Sequence, residues 1–295
     1  MKEKKCLLAT IAGAPNSGKS TLTNSIIGKN ITIVTHKAQT TRTQIRGIIV
    51  RENTQIILTD CPGLISAKTP IEKYMSRSSW SAIKRSDLTI ILIDAIHYRM
   101  HIEHINNIFI CMNKTHRRYI LVINKIDLLH KHKLYKIYDT LTLLYKSERI
   151  FLISALTCDG VADLVNYLYE IAPLSPWLYN KNIVTNVSTN FLSAEITREK
   201  LFLNLYEELP YSTAVMTEQC HIKQDKSMVI KQVIFVLKES HKKIILGTDG
   251  NNIKKINIAA RYALEKFFEC KIHLFLFIKV RPWIQFPEEY ICNNI

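Results

Sequence analysis

Near the start of the chain, Gly13-Ala14-Pro15-Asn16-Ser17-Gly18-Lys19-Ser20-Thr21 combines two glycines, a lysine and two hydroxyls at a spacing suited to phosphate chemistry. Gly13 and Gly18 let the backbone curl with its N–H groups aimed at an anion. Lys19 brings a point charge to the β- and γ-phosphates of a nucleotide. The Ser20 hydroxyl is a hard oxygen ligand for Mg2+.

Three further clusters follow in chain order. In Asp60-Cys61-Pro62-Gly63-Leu64, Asp60 can hold Mg2+ through water and the Gly63 N–H can reach a γ-phosphate. In Asn124-Lys125-Ile126-Asp127, the Asp127 carboxylate can accept from guanine N1–H and the 2-amino group. Adenine offers neither proton, so it would leave the acid unpaired. Lys125 can lay its stem along the base, and Asn124 can brace the loops. In Ser154-Ala155-Leu156 a backbone N–H can donate to guanine O6. The expected ligands are GTP and GDP with Mg2+. Within residues 37–47 (KAQTTRTQIRG), Thr41 is expected to complete the Mg2+ shell in the GTP state, with Thr40 as the alternative.

Many small GTPases orient the attacking water with a glutamine just after Asp-x-x-Gly. Here Leu64 and Ile65 stand in that region. The Asn16 amide oxygen can instead ligate a monovalent cation, K+, near the β,γ bridge and neutralise developing charge as an arginine finger does. Asn16, Lys19, Thr41 and Gly63 are therefore the candidate catalytic residues, with slow intrinsic turnover expected.

These clusters need elements that bring them to one place. Strands are predicted at 6–12, 45–51, 55–60, 88–94, 119–124 and 150–153, and helices at 19–28, 71–85, 103–113, 133–147 and 161–170. The alternation predicts an α/β P-loop domain, a mostly parallel sheet with helices on both faces and ligands at the strands' C-terminal edge. Pro173 and Pro176 break the last helix, so the domains are read as 1–172 and 192–295, with a linker at 173–191. After it the order becomes helix 192–206, strands 211–221 and 228–238, helices 240–247 and 251–268, and strand 271–280. The aromatic residues at 177–179 are expected to seal the junction.

The 295 residues are 47% apolar and carry a net charge of +15, of which +11 lies in residues 1–175. That surplus suits a polyanionic partner, nucleic acid or an anionic membrane face. Seven dispersed cysteines without a Cys-x-x-Cys read as reduced thiols in a cytosol. Apolar runs such as LTIILIDAI are too short to span a bilayer. His97, His101, His104 and Glu103 sit at helical spacing but read as a solvated helix start rather than a metal site.

GAPNSGKST, KAQTTR, DCPGL, NKIDLL and SAL, together with SAEITREKLFLNLYEELPYS and ILGTDGNNIKKINIAAR, make the chain resemble the Era family of bacterial GTPases over nearly its whole length. The resemblance implies a G domain followed by a small α+β type II KH domain, which binds the 3′ end of 16S rRNA and assists maturation of the small ribosomal subunit. It also implies hydrolysis with a hydrophobic residue in place of the glutamine, matching Leu64. Ser17 and Cys61 replace the family's usual Val and Thr, Asn257 stands where glycine is common, and Thr248 and Asp249 replace a basic or polar pair.

The KH reading also has local support. Gly-x-x-Gly between two helices lets a single-stranded backbone approach amides at a helix start. Leu246-Gly247-Thr248-Asp249-Gly250, Ile253, Lys254 and Lys255 form the candidate RNA-binding set. Ile244 and Ile256 are further candidates to line an apolar groove. Asp249 is expected to cap the helix it enters. The chain is expected to be a cytoplasmic monomer, with peripheral association at the inner membrane face carried alongside. Two rival readings are an RNA-binding scaffold that barely hydrolyses GTP, and a related GTPase acting on tRNA or the large subunit.

Overall fold

The computed structural model describes residues 3–35, 43–64, 70–205 and 209–281. The chain divides into two units, one of Met1–Thr32 with His36–Asn186 and one of Ile33–Thr35 with Val187–Ile295.

In the first unit, β-branched and leucine-rich runs form β1 (Lys5–Gly13), β2 (Ile45–Arg51), β3 (Thr54–Asp60), β4 (Leu88–Asp94), β5 (Tyr119–Asn124) and β6 (Ile150–Leu152). They make one sheet in the order β2-β3-β1-β4-β5-β6. All neighbours are parallel except β2, which runs antiparallel to β3. Amphipathic runs form α1 (Lys19–Ile27), α2 (Pro70–Arg85), α3 (Ile102–Lys114), α4 (Lys131–Leu144) and α5 (Val161–Glu170). Alternate residues of each central strand enter different cores. Ile90, Leu92 and Val122 pack with Leu22 of α1 and Leu164 of α5, whereas Ile91, Ile93 and Leu121 pack with Ile108 of α3 and Leu141 of α4. Apolar burial on both faces explains why β4 is buried at every position.

Residues 173–186 run back along this sheet. The Gln55 side chain, fully buried on β3, accepts from the amides of Leu178 (3.0 Å) and Tyr179 (3.1 Å) and donates to Tyr179 O (2.9 Å). Further on, Ile48 N–H donates to Val184 O, and Arg46 N–H donates to Asn186 Oδ1, both at 2.8 Å. Trp177 and Tyr179 pack on Cys6, Ile48 and Ile57, so these aromatics cover the first unit's own sheet.

The second unit is α6 (Thr189–Asn204), β7 (Thr213–Ile222), β8 (Met228–Val236), α7 (Glu239–Leu246), α8 (Asn251–Phe268) and β9 (Ile272–Val280). Its sheet has the order β7-β8-β9, antiparallel then parallel. Helix α6 starts three residues before the sequence reading, because the Ser188 side chain accepts from Phe191 N–H and caps it. Leu201, Ile234, Ile245 and Ile256 form the core between sheet and helices.

Candidate nucleotide site and Gly-x-x-Gly loop

The phosphate loop joins β1 to α1, and Gly18 is the residue that enters the helix. It takes φ 97°, a left-handed conformation, and a Cβ there would run into the Asn124 side chain. Lys19 is buried, its Nζ donating to Ala14 O at 2.7 Å and Gly13 O at 3.3 Å. The Ser20 hydroxyl donates to Asp60 Oδ2 at 2.7 Å. Thr21 and Pro15 are partly buried, and Asn16 is exposed at φ 60°, which an asparagine tolerates. The Ser17 hydroxyl is buried and finds no hydrogen-bond partner among the described residues.

Asp60 ends β3 and is fully buried. Burial pushes its carboxyl up to about 6, against the opposing pull of the Ser20 hydroxyl and the Lys19 charge. Burial likewise lowers the Lys19 ammonium to about 8, against the pull of Asp60. Asp60 Oδ1 has no hydrogen-bond partner among the described residues. An ionised oxygen buried without a partner is costly, and a hard cation is the partner its chemistry suits. Asp60 and Ser20 therefore fit Mg2+.

The chain after Asp60 lies against the phosphate loop. Leu64 N–H donates to Gly13 O at 3.2 Å, and a Cβ on Gly63 would come within 2.8 Å of Pro15 N. Pro62 O accepts from Ser79 Oγ of α2 at 2.9 Å. Cys61 is buried, and burial beside Asp60 raises its thiol far above the ordinary range, so it is inert packing. Leu64 packs into the core with Ile83 and Ile91, so its own side chain cannot orient water. Thr40, Thr41 and Ile65 lie outside the described residues.

Asn124 closes the other side. Its Nδ2 donates to Ser17 O at 2.8 Å, and its Oδ1 accepts from Ala155 N–H at 2.9 Å. One side chain thus ties the phosphate loop to residues 154–156. The Ser154 amide goes to Asp159 O, and with Ala155 committed to Asn124, Leu156 supplies the remaining amide of the three. Ile126 is partly buried and Asp127 exposed in the short turn of 3-10 helix that follows. Lys125 Nζ lies 2.7 Å from Asp94 Oδ2. Asp94 was not among the residues picked from sequence. Its one signal there was an acid ending the strand beside β5. His97 also hydrogen-bonds Asp94, at 3.1 Å, and among the described residues no cluster of His, Cys, Asp and Glu is arranged to hold a metal.

In the second unit the Gly-x-x-Gly loop joins α7 to α8. Gly247 (φ 72°) must be glycine, since a Cβ would press within 2.7 Å of the Asn252 Cβ. Asn252 Nδ2 in turn donates to Ile244 O at 3.0 Å and locks the loop between the helices. The expected cap by Asp249 is not formed: Gly250 is the N-cap residue of α8, and no side chain caps it. Asp249 sits exposed at φ 53°, a left-handed position that aspartate accepts more readily than most residues. Thr248, Lys254 and Lys255 are exposed, and Leu246 and Ile253 partly so. Ile244 is 56% exposed, whereas Ile256 belongs to the core and lines no groove.

A phosphate-binding loop, a buried acid–hydroxyl pair and an Asn-Lys-x-Asp turn at one sheet edge define a P-loop GTP-binding protein, here joined to an α-β-β-α-α-β unit with a Gly-x-x-Gly loop. Family models agree: residues 9–125 match one described as a 50S ribosome-binding GTPase, and residues 208–284 match the KH domain. The chain is 42% identical to the GTPase Era of Ehrlichia ruminantium (strain Gardel) over 96% of its length and 95% of that protein. It is 43% identical to that of Rickettsia conorii over 98% of its length and 85% of that protein. This chain belongs to the GTPase Era family. A crystal structure of Era in complex with MgGDPNP and nucleotides 1506–1542 of 16S ribosomal RNA superposes with a TM-score of 0.88 at 31% identity, covering 98% of each chain. A tyrosine-to-alanine variant of Aquifex aeolicus Era bound to GDP·AlF4− matches with the same score and identity over 94% of each chain.

Asn124→Ala unpairs Ser17 O and the Ala155 amide together. It is expected to weaken GDP binding by about 2–3 kcal/mol, roughly 30- to 150-fold, in calorimetric titration at fixed Mg2+. A loss below threefold would mean the two loops do not depend on this bridge.

Proposed function

We propose that this chain hydrolyses GTP with Mg2+ and, through its second unit, binds the 3′ region of 16S rRNA during small-subunit maturation. The observation that carries this reading is the buried Lys19–Ser20–Asp60 cluster, tied by Asn124 to the base-reading turn, in a chain that also holds the Gly247–Gly250 loop. Full-length likeness to Era relatives includes both units, whereas the 50S description rests on residues 9–125 alone.

Ser20 and Asp60 would hold Mg2+, with Thr41 joining in the GTP state. When bound, the ion neutralises charge on the β- and γ-phosphate oxygens. Lys19 shares that task from within the loop, and the Gly63 amide reaches the γ-phosphate. The Asn124 bridge holds Lys125 and Asp127 in register with the phosphates, so that base and triphosphate are read together. Asn16 would supply an amide oxygen to K+, whose charge would stand in for that of a catalytic arginine. Turnover is expected to be several-fold faster in potassium than in sodium buffer, with Asn16→Ala removing the difference. Equal rates in both ions would discard this role.

Nucleotide state is coupled to RNA binding through β2. That strand is separated from residues 36–42 by only two residues and is hydrogen-bonded to 184–186, the last residues before Val187. The protein acts as a cytoplasmic monomer, and its +15 charge also suits peripheral contact with an anionic membrane face. Among the described residues no helix is long and apolar enough to cross a membrane.

The test is titration of a 16S 3′-end oligonucleotide against the protein loaded with GDP or with GDPNP. Tighter binding with GDPNP is expected, and Asp249→Lys is expected to strengthen binding and steepen its salt dependence. Equal affinity in the two states would remove the coupling, and absence of binding would remove the RNA reading. A single-turnover rate too slow to measure, with or without the oligonucleotide, would favour a scaffold.

A further inference from the structure

Asp94 ends β4, and its register partner across the sheet is Asn124 of β5, the residue just before Lys125. The two strand ends are joined again where Ala95 N–H donates to Asn124 O at 3.0 Å. Asp94 is 6% exposed, and all its acceptor capacity is directed. Oδ1 accepts from the amides of Ile96 (2.8 Å) and His97 (3.4 Å). Oδ2 faces Lys125 Nζ at 2.7 Å and His97 Nδ1 at 3.1 Å. Lys125 itself has left-handed backbone, φ 67°, and is only 28% exposed, so its ammonium is neither free nor well hydrated.

We propose that Asp94 is a positioning residue for guanine-nucleotide recognition. It anchors the Lys125 ammonium, so that the lysine stem is a fixed platform for the base rather than a mobile chain. The proposal rests on the reading of Asn124–Asp127 as the base-reading turn. A lysine has four rotatable side-chain bonds, and ordering them on each binding event would weaken affinity. A carboxylate that holds the head beforehand removes that cost and neutralises the charge beside the ring. Asp94 itself is held by the Ile96 and His97 amides, so the anchor is rigid.

The test is a double-mutant cycle on GDP and ADP binding, with the full chain and Mg2+ present. Asn at position 94 can still accept from the Ile96 amide, so Asp94→Asn preserves the turn, and its melting temperature is recorded to confirm folding. Asp94→Asn is expected to weaken GDP binding about tenfold, mainly through faster dissociation. In a Lys125→Met background, which keeps an apolar stem but has no ammonium to anchor, the same change is expected to cost less than twofold. Equal losses in both backgrounds would overturn the proposal and leave Asp94 as a turn residue. A wild-type protein that binds ADP as well as GDP would instead overturn the reading of the base-reading turn, so the two failures are distinguishable.

Discussion

A lysine and an aspartate buried together at the C-terminal edge of a β-sheet are the constraint on which the rest of the first unit depends. Lys19 and Asp60 are both withdrawn from water, and each is pushed by burial toward its neutral form. Their mutual attraction and the Ser20 hydroxyl only partly offset this. Such a cluster is poor design for stability alone. A polyphosphate and a hard cation would supply the missing partners, and Asp60 Oδ1, unmatched among the described residues, is the atom that points to the cation. The apolar cores on both faces of the sheet hold the cluster in place. They bury β4 and β5 completely, and so fix where β1, β3, β4 and β5 end.

From that edge outward, connections are made by few side chains, each with two or more partners. Asn124 joins the phosphate loop to residues 154–156. Asp94 joins the β4 end to Lys125. Gln55 and Arg46 hold the returning segment 177–186 on the far side of the sheet. The second unit follows the same economy, with Asn252 clamping the Gly-x-x-Gly loop. Glycine is used where a side chain would collide, at Gly18 and Gly247, and Asp249 occupies the neighbouring left-handed position.

The meeting of the four motifs at one sheet edge was legible in the sequence because each motif is local. Four short motifs sit at strand ends, and strand ends in a parallel sheet converge. The helix and strand pattern was equally legible, since periodicity carries it, down to the antiparallel β2 beside β3 being read as two separate strands. What escaped was whatever depends on pairing between distant segments. Asp94 gains its meaning only from lying in register with Asn124. Residues 184–186 gain theirs only from meeting β2, which a linker composition does not announce. At the Gly-x-x-Gly loop a capping acid was expected, but Gly250 takes the cap position one residue later. Ile256 shares helical spacing with Ile253, yet one is fully buried core and the other only partly buried at its edge, and only packing separates them.

The most direct test of the buried-charge account is thermal unfolding with nucleotide and metal varied separately. Mg2+ with GDP at 100-fold excess over its dissociation constant should stabilise the first unit by about 2.7 kcal/mol. GDP with a chelator should give a much smaller rise in Tm, and Mg2+ with ADP none. Equal stabilisation by ADP, or a GDP shift indifferent to the chelator, would contradict the claim that Asp60 and Lys19 are paired by a metal-bound guanine nucleotide.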